Sequence, residues 1–259
     1  MATALITGAS GGIGLELARL FAADGFDVVL VARSEDKLRA VAEGFHNAHG
    51  ITALVYPADL GDRAAPGRIC DRLAADGVQI DALVNNAGLA QFAPIATADQ
   101  KQLDELLQVN IVALTDLTRR LLPGMLERGH GYVLNVASTA AFLPGPFMAA
   151  YYASQAYVLT FSIAVNEEVR GSGVSVTALC PGPVDTGFEA RAGMTGSKLF
   201  KGNMSSAAEV AAFGYRAMKD RKPFVVEGQR NQFLTFLTRF GSRPMSAKVA
   251  MRAHARGAN

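Results

Sequence analysis

The 259-residue chain lacks several features that mark particular classes of protein. It contains no tryptophan and only two cysteines, Cys70 and Cys180, which lie far apart in apolar surroundings. Two such cysteines cannot build the multiple cross-links that hold small secreted domains together. We therefore favour two buried thiols in a reducing cytoplasm over a single disulfide.

Long hydrophobic runs are missing as well. No uninterrupted apolar stretch approaches the roughly 20 residues that a helix needs to cross a bilayer. No positively charged segment precedes the first apolar run, which begins at Ala4. We therefore expect neither a membrane-spanning segment nor a signal peptide, and we predict a cytoplasmic location.

The C-terminal part of the chain has no negative charge. The net charge is only +2, which gives no reason to expect a nucleic-acid partner, yet residues 228–259 contain no Asp or Glu. The six cations of this basic C-terminal extension are Arg230, Arg239, Arg243, Lys248, Arg252 and Arg256. Because the whole chain carries +2, these six cations leave −4 on the remainder.

The basic extension also contains large apolar residues, which are Phe233, Leu234, Phe236, Leu237 and Phe240. One interpretation is an amphipathic element that contacts acidic lipid at a membrane surface. The other is a segment that packs on the body or on a second subunit. The slightly acidic body favours packing.

The first two-thirds of the chain alternate short apolar runs with amphipathic stretches such as 15–23 and 37–45. Six of these apolar runs begin at Ala4, Val28, Ala53, Ala82, Tyr132 and Val174. A seventh run follows later in the chain and begins at Phe224. They are apolar throughout and rich in valine, as strands covered on both faces by helices should be. This pattern predicts a doubly wound α/β fold, with a parallel seven-stranded sheet and helices on both faces.

No repeat or low-complexity linker divides the chain, so we predict a single domain over residues 1–259. Segment 187–204 breaks the alternation, because it is rich in glycine and shows little periodicity. We expect this segment to lie over a site as a substrate loop.

A glycine-rich turn, Thr7–Gly14, joins the first strand to the first helix. Glycines make the turn tight and let backbone N–H groups approach a pyrophosphate, and the helix N-terminus adds partial positive charge. The position between strand and helix makes the motif far more specific than a lone glycine-rich turn. We therefore predict a dinucleotide-binding, Rossmann-like site, with contacts from Gly8, Ser10, Gly12, Ile13 and Gly14.

The end of the second strand bears on the choice of dinucleotide. NAD sites usually place an acid there, about 20 residues after the glycine turn, to bind the ribose 2′-hydroxyl. Here the position holds Arg33, a cation that suits a 2′-phosphate. We therefore favour NADP(H); if Arg33 is simply solvated, NAD(H) is the alternative.

These and later motifs together resemble those of the short-chain dehydrogenase/reductase family, in order and spacing, from residue 1 to about 226. Asp59 and Leu60 look like the family's contact with the adenine. The family's fourth-strand motif, which supports the adenosine, is matched by Asn86, Ala87 and Gly88. The loop that embraces the nicotinamide in the family is matched by Pro181, Gly182, Val184 and Thr186.

The resemblance also implies a set of catalytic residues. Tyr151 follows Ser138 by thirteen positions, which matches the family spacing between the acid/base tyrosine and the serine that orients the substrate carbonyl. Asn110 falls where the family has a helix-borne asparagine that takes part in a proton relay.

One position departs from the family pattern. Four residues after the tyrosine the family has a lysine, and here Gln155 occupies that slot. Its amide can still hydrogen-bond the ribose hydroxyls, but it carries no charge that would lower the pKa of Tyr151. Three explanations stay open: a slow natural variant, a relative that has lost catalysis, or a substitution introduced to trap a complex. A smaller departure is Gly11, where NADP-binding relatives often carry a cation.

Two hypotheses follow from these residues. The first is an NADP(H)-dependent oxidoreductase that transfers hydride between nicotinamide and a carbonyl or alcohol, with catalysis weakened at Gln155. The apolar segment 140–150, which links Ser138 to Tyr151, favours an apolar substrate. The second is an NADP(H)-binding protein with little or no turnover. We expect no metal site, and by analogy with the family we expect a homodimer or homotetramer.

Overall fold

The computed structural model describes residues 1–187, 192 and 204–254. Most of the predicted substrate loop, 187–204, therefore lies outside the described residues, as does Arg256 of the basic extension.

The centre of the protein is one parallel sheet of seven strands. The strands are β1 (Thr3–Thr7), β2 (Asp27–Ala32), β3 (Ala53–Pro57), β4 (Ala82–Asn85), β5 (Gly131–Val136), β6 (Val174–Cys180) and β7 (Phe224–Val226). Their order across the sheet is β3-β2-β1-β4-β5-β6-β7, and every neighbouring pair is parallel. The seven predicted strands and their parallel arrangement are confirmed.

Helices connect the strands. They are α1 (Gly12–Ala23), α2 (Glu35–His49), α3 (Ala65–Ala75), α4 (Gln100–Leu107), α5 (Leu114–Arg128), α6 (Ala149–Glu168), α7 (Ala207–Lys219), α8 (Gln229–Leu237) and α9 (Arg243–His254). A π-helical segment, Gln108–Ala113, joins α4 to α5, and a short 3-10 helix, Thr139–Phe142, follows β5. A small parallel pairing joins Val184–Asp185 to Ser205–Ser206, on either side of the predicted substrate loop.

Apolar layers cover both faces of the sheet. On one face, α1, α2 and α7 pack through a cluster that includes Phe21, Leu38 and Met218. On the other face, α3, α5 and α6 pack through a cluster that includes Leu73, Leu117 and Val165. Burial on both sides explains why the strands are mostly apolar rather than alternating between apolar and polar residues. The doubly wound single-domain fold is therefore confirmed.

The strand order reverses between β1 and β4. From β1 the chain winds outward through β2 and β3, and it then returns to β4 on the other side of β1. Ligands of open α/β sheets bind in the crevice outside the carboxyl ends of the strands at such a reversal. The fold thus places a crevice beside the end of β1, where the glycine-rich turn begins.

Other sequence expectations concern cysteines, membranes and metals. Cys70 and Cys180 are both free thiols. Within residues 1–187, 192 and 204–254, no helix combines the length and apolar character needed to cross a membrane. The same residues contain no group of three or more His, Cys, Asp or Glu placed to share a metal ion.

Candidate active site

A cleft of about 520 Å³ lies where six neighbouring strands end. Of the residues predicted from the sequence to form a site, all but Gly14 and Asn110 line it. Those on the cofactor side are Gly8, Ser10, Gly12, Ile13, Arg33, Asp59, Leu60, Asn86, Ala87, Gly88, Pro181, Gly182, Val184 and Thr186. Those on the catalytic side are Ser138, Tyr151 and Gln155. One continuous cleft therefore joins the two sets.

The glycine-rich turn fits its surroundings closely. Gly8 and Gly12 have φ angles of 68° and 57°, which side chains other than glycine rarely tolerate. A Cβ on Gly14 would lie 2.3 Å from the Asn86 Nδ2 atom and 2.5 Å from the Gly8 carbonyl oxygen. Gly14 is therefore a packing position behind the turn, which explains why it does not line the cleft. Gly11, by contrast, faces open space.

Asn86 and Thr7 hold the turn against the end of β4. The Thr7 hydroxyl accepts hydrogen bonds from the backbone N–H groups of Asn86 and Ala87, at 2.9 and 3.0 Å. The Asn86 side-chain amide donates to the Thr7 carbonyl at 2.9 Å. These bonds fix the turn but leave the first backbone N–H groups of α1 unused. The N-cap residue Gly11 has no side chain that could accept a hydrogen bond from those N–H groups. Those groups are suited to an anion such as a pyrophosphate.

Two cations lie at the end of the cleft next to β2. Arg33 follows β2 directly and is exposed, and Lys37 lies in the first turn of α2. Neither forms an ion pair with any residue that the structure describes. Lys37 was not among the residues predicted from the sequence. It could have been found from its spacing, because it follows Arg33 by four residues and both cations therefore lie at the start of α2. Asp59, two residues after the end of β3, accepts a hydrogen bond from the Gly61 N–H at 2.9 Å.

Tyr151 and Ser138 form a hydrogen-bonded pair at the other end of the cleft. Ser138 begins the 3-10 helix after β5 and its hydroxyl accepts from the Ala140 N–H at 3.1 Å. Tyr151 lies in the first turn of α6. Burial raises the pKa of Tyr151 to about 12, and the hydrogen bond with Ser138 lowers the pKa by a smaller amount.

Gln155 lies one turn after Tyr151 on the same helix and lines the same cleft. The residue is buried, and its carbonyl oxygen Oε1 has no hydrogen-bond partner in the part of the chain that the structure describes. An orphaned buried acceptor is costly unless a donor arrives from elsewhere. A sugar hydroxyl in the cleft is such a donor, so the site fits the ribose of a dinucleotide.

Comparison with known proteins agrees with this geometry. Residues 2–195 match the profile described as short chain dehydrogenase. The chain belongs to the short-chain dehydrogenase family.

Three similar proteins illustrate the relationship. The chain is 37% identical over 186 residues to "Very-long-chain 3-oxoacyl-CoA reductase" of Anas platyrhynchos, covering 70% of this chain and 59% of that protein. It is 32% identical over 228 residues to "Ketoacyl reductase HetN" of Nostoc sp., covering 88% and 78%. A solved short-chain dehydrogenase from Sphingobium yanoikuyae in complex with NADPH superimposes with a TM-score of 0.83 at 28% identity, covering 100% of this chain and 98% of that one.

Asn110 of this short-chain dehydrogenase lies behind the cleft rather than in its lining. Its side chain accepts from the Leu89 N–H at 2.8 Å and donates to the Leu89 carbonyl at 2.9 Å. It also donates to the Ser154 hydroxyl at 3.0 Å, and that hydroxyl donates to the Tyr151 carbonyl at 2.7 Å. Asn110 lies in the π-helical segment, and such bulges are frequent at functional sites. In this structure the residue joins the start of α6 to the loop after β4.

An apolar wall flanks Tyr151. Met148 and Ala192 pack together with Phe92, Tyr151 and Tyr152. Sequence reasoning expected the segment 140–150 to lie beside the substrate, and Ala140 and Met148 do line the cleft. Phe142 does not, because it packs toward β7, with its ring 6.5 Å from that of Phe224. Tyr152, which the sequence analysis did not select, lines the cleft and has a pKa raised by burial.

Proposed function

We propose that this chain is an NADP(H)-dependent oxidoreductase that interconverts an apolar carbonyl compound and its alcohol. The observation that carries the proposal is the hydrogen-bonded pair of Tyr151 and Ser138, which faces the same cleft as the glycine-rich turn. The cleft thus combines a proton donor and a carbonyl partner with a site for a dinucleotide. Related proteins named as 3-oxoacyl-CoA reductase and ketoacyl reductase support this reaction class.

The two cations at β2 support NADP(H) as the cofactor. Arg33 and Lys37 have no ionic partner among the described residues, so both are available to a 2′-phosphate. The residue that directly follows β2, where an acid would bind a 2′-hydroxyl, is Arg33. A similar solved structure holds NADPH. NAD(H) is the alternative, and a comparison of the two affinities separates them.

The chain's own residues would hold the cofactor and manage one proton. The start of α1 would bind the pyrophosphate, and Gln155 Oε1 would accept a hydrogen bond from the nicotinamide ribose. When bound, the nicotinamide supplies or accepts the hydride. Negative charge then develops on the substrate oxygen, which Ser138 stabilises by a hydrogen bond while Tyr151 donates its proton.

Gln155 predicts slow catalysis. Lysine in this slot, as the family resemblance implies, would lower the pKa of Tyr151 toward the working pH, whereas the neutral amide of glutamine does not. One pKa unit corresponds to about 1.4 kcal/mol, so a loss of two units would slow the proton step by up to roughly 100-fold. The same observation favours the second candidate, a protein that binds NADP(H) and turns over little or nothing.

The substrate class follows from the apolar wall. Met148, Tyr152 and Phe92 surround Tyr151 with hydrocarbon surface, which suits an apolar group next to the carbonyl. Relatives named as ketoacyl reductases make 3-oxoacyl compounds the first substrates to test. The chain spans 59% of the Anas platyrhynchos reductase, so the substrate in the name of that protein transfers only as a hypothesis. A dimer or tetramer and a cytoplasmic location remain predictions from the sequence.

The test is turnover with a defined tyrosine variant. The chain would be incubated with deuterated NADPH and a panel of 3-oxoacyl thioesters and apolar ketones, and the alcohols would be analysed by mass spectrometry. We expect a deuterated alcohol from the natural chain and a loss of roughly 100-fold or more in rate for Tyr151→Phe. Tyr157→Phe is the control, because Tyr157 lies on the same helix and bonds to Thr115 outside the cleft.

Two other results would change the proposal. Binding of NADPH with no labelled product from any substrate would favour the binding protein. An unchanged rate in Tyr151→Phe, with product formed, would show that another group supplies the proton.

A further inference from the structure

The C-terminal helices α8 and α9 expose a surface that mixes large apolar side chains with cations. We call it the C-terminal face. Its exposed apolar residues are Phe233, Leu234, Phe236, Leu237, Phe240, Met245, Val249 and Met251. We propose that the C-terminal face binds the surface of an anionic lipid bilayer.

The inner side of α8 is attached to the body, which fixes the direction of its outer side. Thr235 is buried, and the side chains of Asn231 and Gln232 donate hydrogen bonds to the carbonyls of Glu227 and Val226, at 2.8 and 3.0 Å. On the opposite side, Phe233 and Leu237, one turn apart in α8, are 61% and 45% exposed. Phe240, in the turn that follows the helix, is 75% exposed. The helix and this turn thus present an apolar stripe to their surroundings.

Helix α9 repeats the arrangement. Ala250 is buried, while Met245 and Val249, one turn apart, are 63% and 59% exposed. Lys248 and Arg252 are exposed and lie in the same turns. Long cationic side chains next to apolar ones are typical of helices that lie in the plane of a membrane surface.

The charge of this face favours a negative partner. Its described cations are Arg230, Arg239, Arg243, Lys248 and Arg252, and none of them forms an ion pair with a described residue. Residues 228–259 supply no acid to balance them. A second copy docked symmetrically through this face would bring like charges together. A nucleic acid would match the cations but would leave the exposed Leu, Met and Val side chains without an apolar environment.

An apolar groove lies on the body side of α8 and adjoins the C-terminal face at Phe236 and Arg239. It has a volume of about 310 Å³ and lies between α8, β7 and α7, with Phe142, Phe213, Phe224 and Phe236 among its lining residues. Arg239 forms part of its wall, with its guanidinium 6.0 Å from the centre of the Phe236 ring. Hydrocarbon next to a cation matches the two parts of an anionic phospholipid. An anionic bilayer would therefore provide an apolar environment for the exposed stripe and the groove, and negative charge for the cations.

Vesicle co-sedimentation of the full chain tests the proposal and needs no turnover. Vesicles of phosphatidylcholine alone would be compared with vesicles that contain about 30% phosphatidylserine, at about 0.1 and 0.5 M salt. We expect at least roughly tenfold stronger binding to the anionic vesicles, reduced by high salt. The double variant Phe233→Ser with Phe240→Ser removes apolar side chains of the face, and Arg230→Gln with Lys248→Gln removes two of its cations. Each double variant should bind anionic vesicles roughly tenfold or more weakly than the natural chain.

Matched controls lie elsewhere on the surface. Ile95→Ser removes an apolar side chain that is 65% exposed, and Lys101→Gln removes an exposed cation. Both should bind like the natural chain, and thermal melts would verify that every variant is folded. Absence of binding to anionic vesicles, or equal binding by the face variants and the controls, would overturn the proposal. So would light scattering in which Phe233→Ser with Phe240→Ser converts a dimer to a monomer, since a second copy would then cover this face.

Discussion

Gln155 lies one turn beyond Tyr151 on α6, and its buried carbonyl oxygen has no partner among the residues that the structure describes. The Tyr151 hydroxyl, by contrast, is hydrogen-bonded to Ser138, and burial raises its pKa to about 12. The cleft therefore contains a hydrogen-bonded phenol and hydroxyl, which we propose as proton donor and carbonyl partner, together with an uncharged acceptor suited to a sugar hydroxyl. This combination favours cofactor binding with slow proton transfer.

The raised pKa predicts how each reaction direction depends on pH. Carbonyl reduction uses protonated Tyr151, which persists to a pKa of about 12, so its rate should not fall through loss of this proton between pH 6 and 10. Alcohol oxidation needs the phenolate, whose fraction rises tenfold per pH unit below the pKa. We expect kcat/KM for oxidation to climb through pH 10 without a plateau. A plateau reached below pH 8 would contradict the raised pKa.

Arg33 and Lys37 predict the cofactor preference. Removing a charged hydrogen-bond donor to a phosphate should weaken binding, so Arg33→Ala should raise the Kd for NADPH by roughly 10- to 100-fold. The Kd for NADH should stay nearly constant, because NADH has no 2′-phosphate. Fluorescence titration measures both constants. Arg39→Ala is the control, since Arg39 lies on α2, six residues after Arg33, but pairs with Glu35. Equal losses for both cofactors in Arg33→Ala would remove the argument for NADP(H).

Alanine substitutions at Gly14 and Gly11, both at the start of α1, should differ in their effect on the free energy of unfolding. A Cβ at Gly14 would lie 2.5 Å from the Gly8 carbonyl oxygen, so Gly14→Ala should cost about 1–3 kcal/mol in the free energy of unfolding. Gly11 has an extended backbone, and a Cβ there would meet nothing within 4 Å. Gly11→Ala should therefore fold with almost unchanged stability. Urea denaturation of both variants checks this difference, and equal losses would contradict the close packing at Gly14.

Local sequence patterns were sufficient to predict the sheet and the glycine-rich turn. Strands buried on both faces are mostly apolar, and a turn that approaches Asn86 as closely as Gly8 does must be glycine. Tyr151, Ser138 and Gln155 could be assigned from spacing and family resemblance, and they line one cleft. These features depend on short stretches of chain, where sequence determines structure most directly.

Other features depend on contacts between distant segments and could not be read from the sequence. Asn110 is predicted from the sequence to belong to the site, but its side chain is held behind the cleft by the backbone of Leu89 and by Ser154. The direction of Phe142 is set by Phe224, more than eighty residues later. The sequence favoured packing of the basic extension on the body or on a second subunit; one side of α8 packs on the body, and Phe240 is exposed in the single chain. In each case tertiary packing determines where the side chain points.

The most direct measurement compares the natural chain with Gln155→Lys. NADPH binding would be titrated first, and NADPH oxidation would then be followed with 3-oxoacyl thioesters and apolar ketones from pH 6 to 10. If the account is right, both proteins bind NADPH, both form the alcohol, and lysine raises the rate by up to roughly 100-fold by lowering the pKa of Tyr151. NADPH binding with an unchanged rate in Gln155→Lys, or with no turnover in either protein, would contradict it.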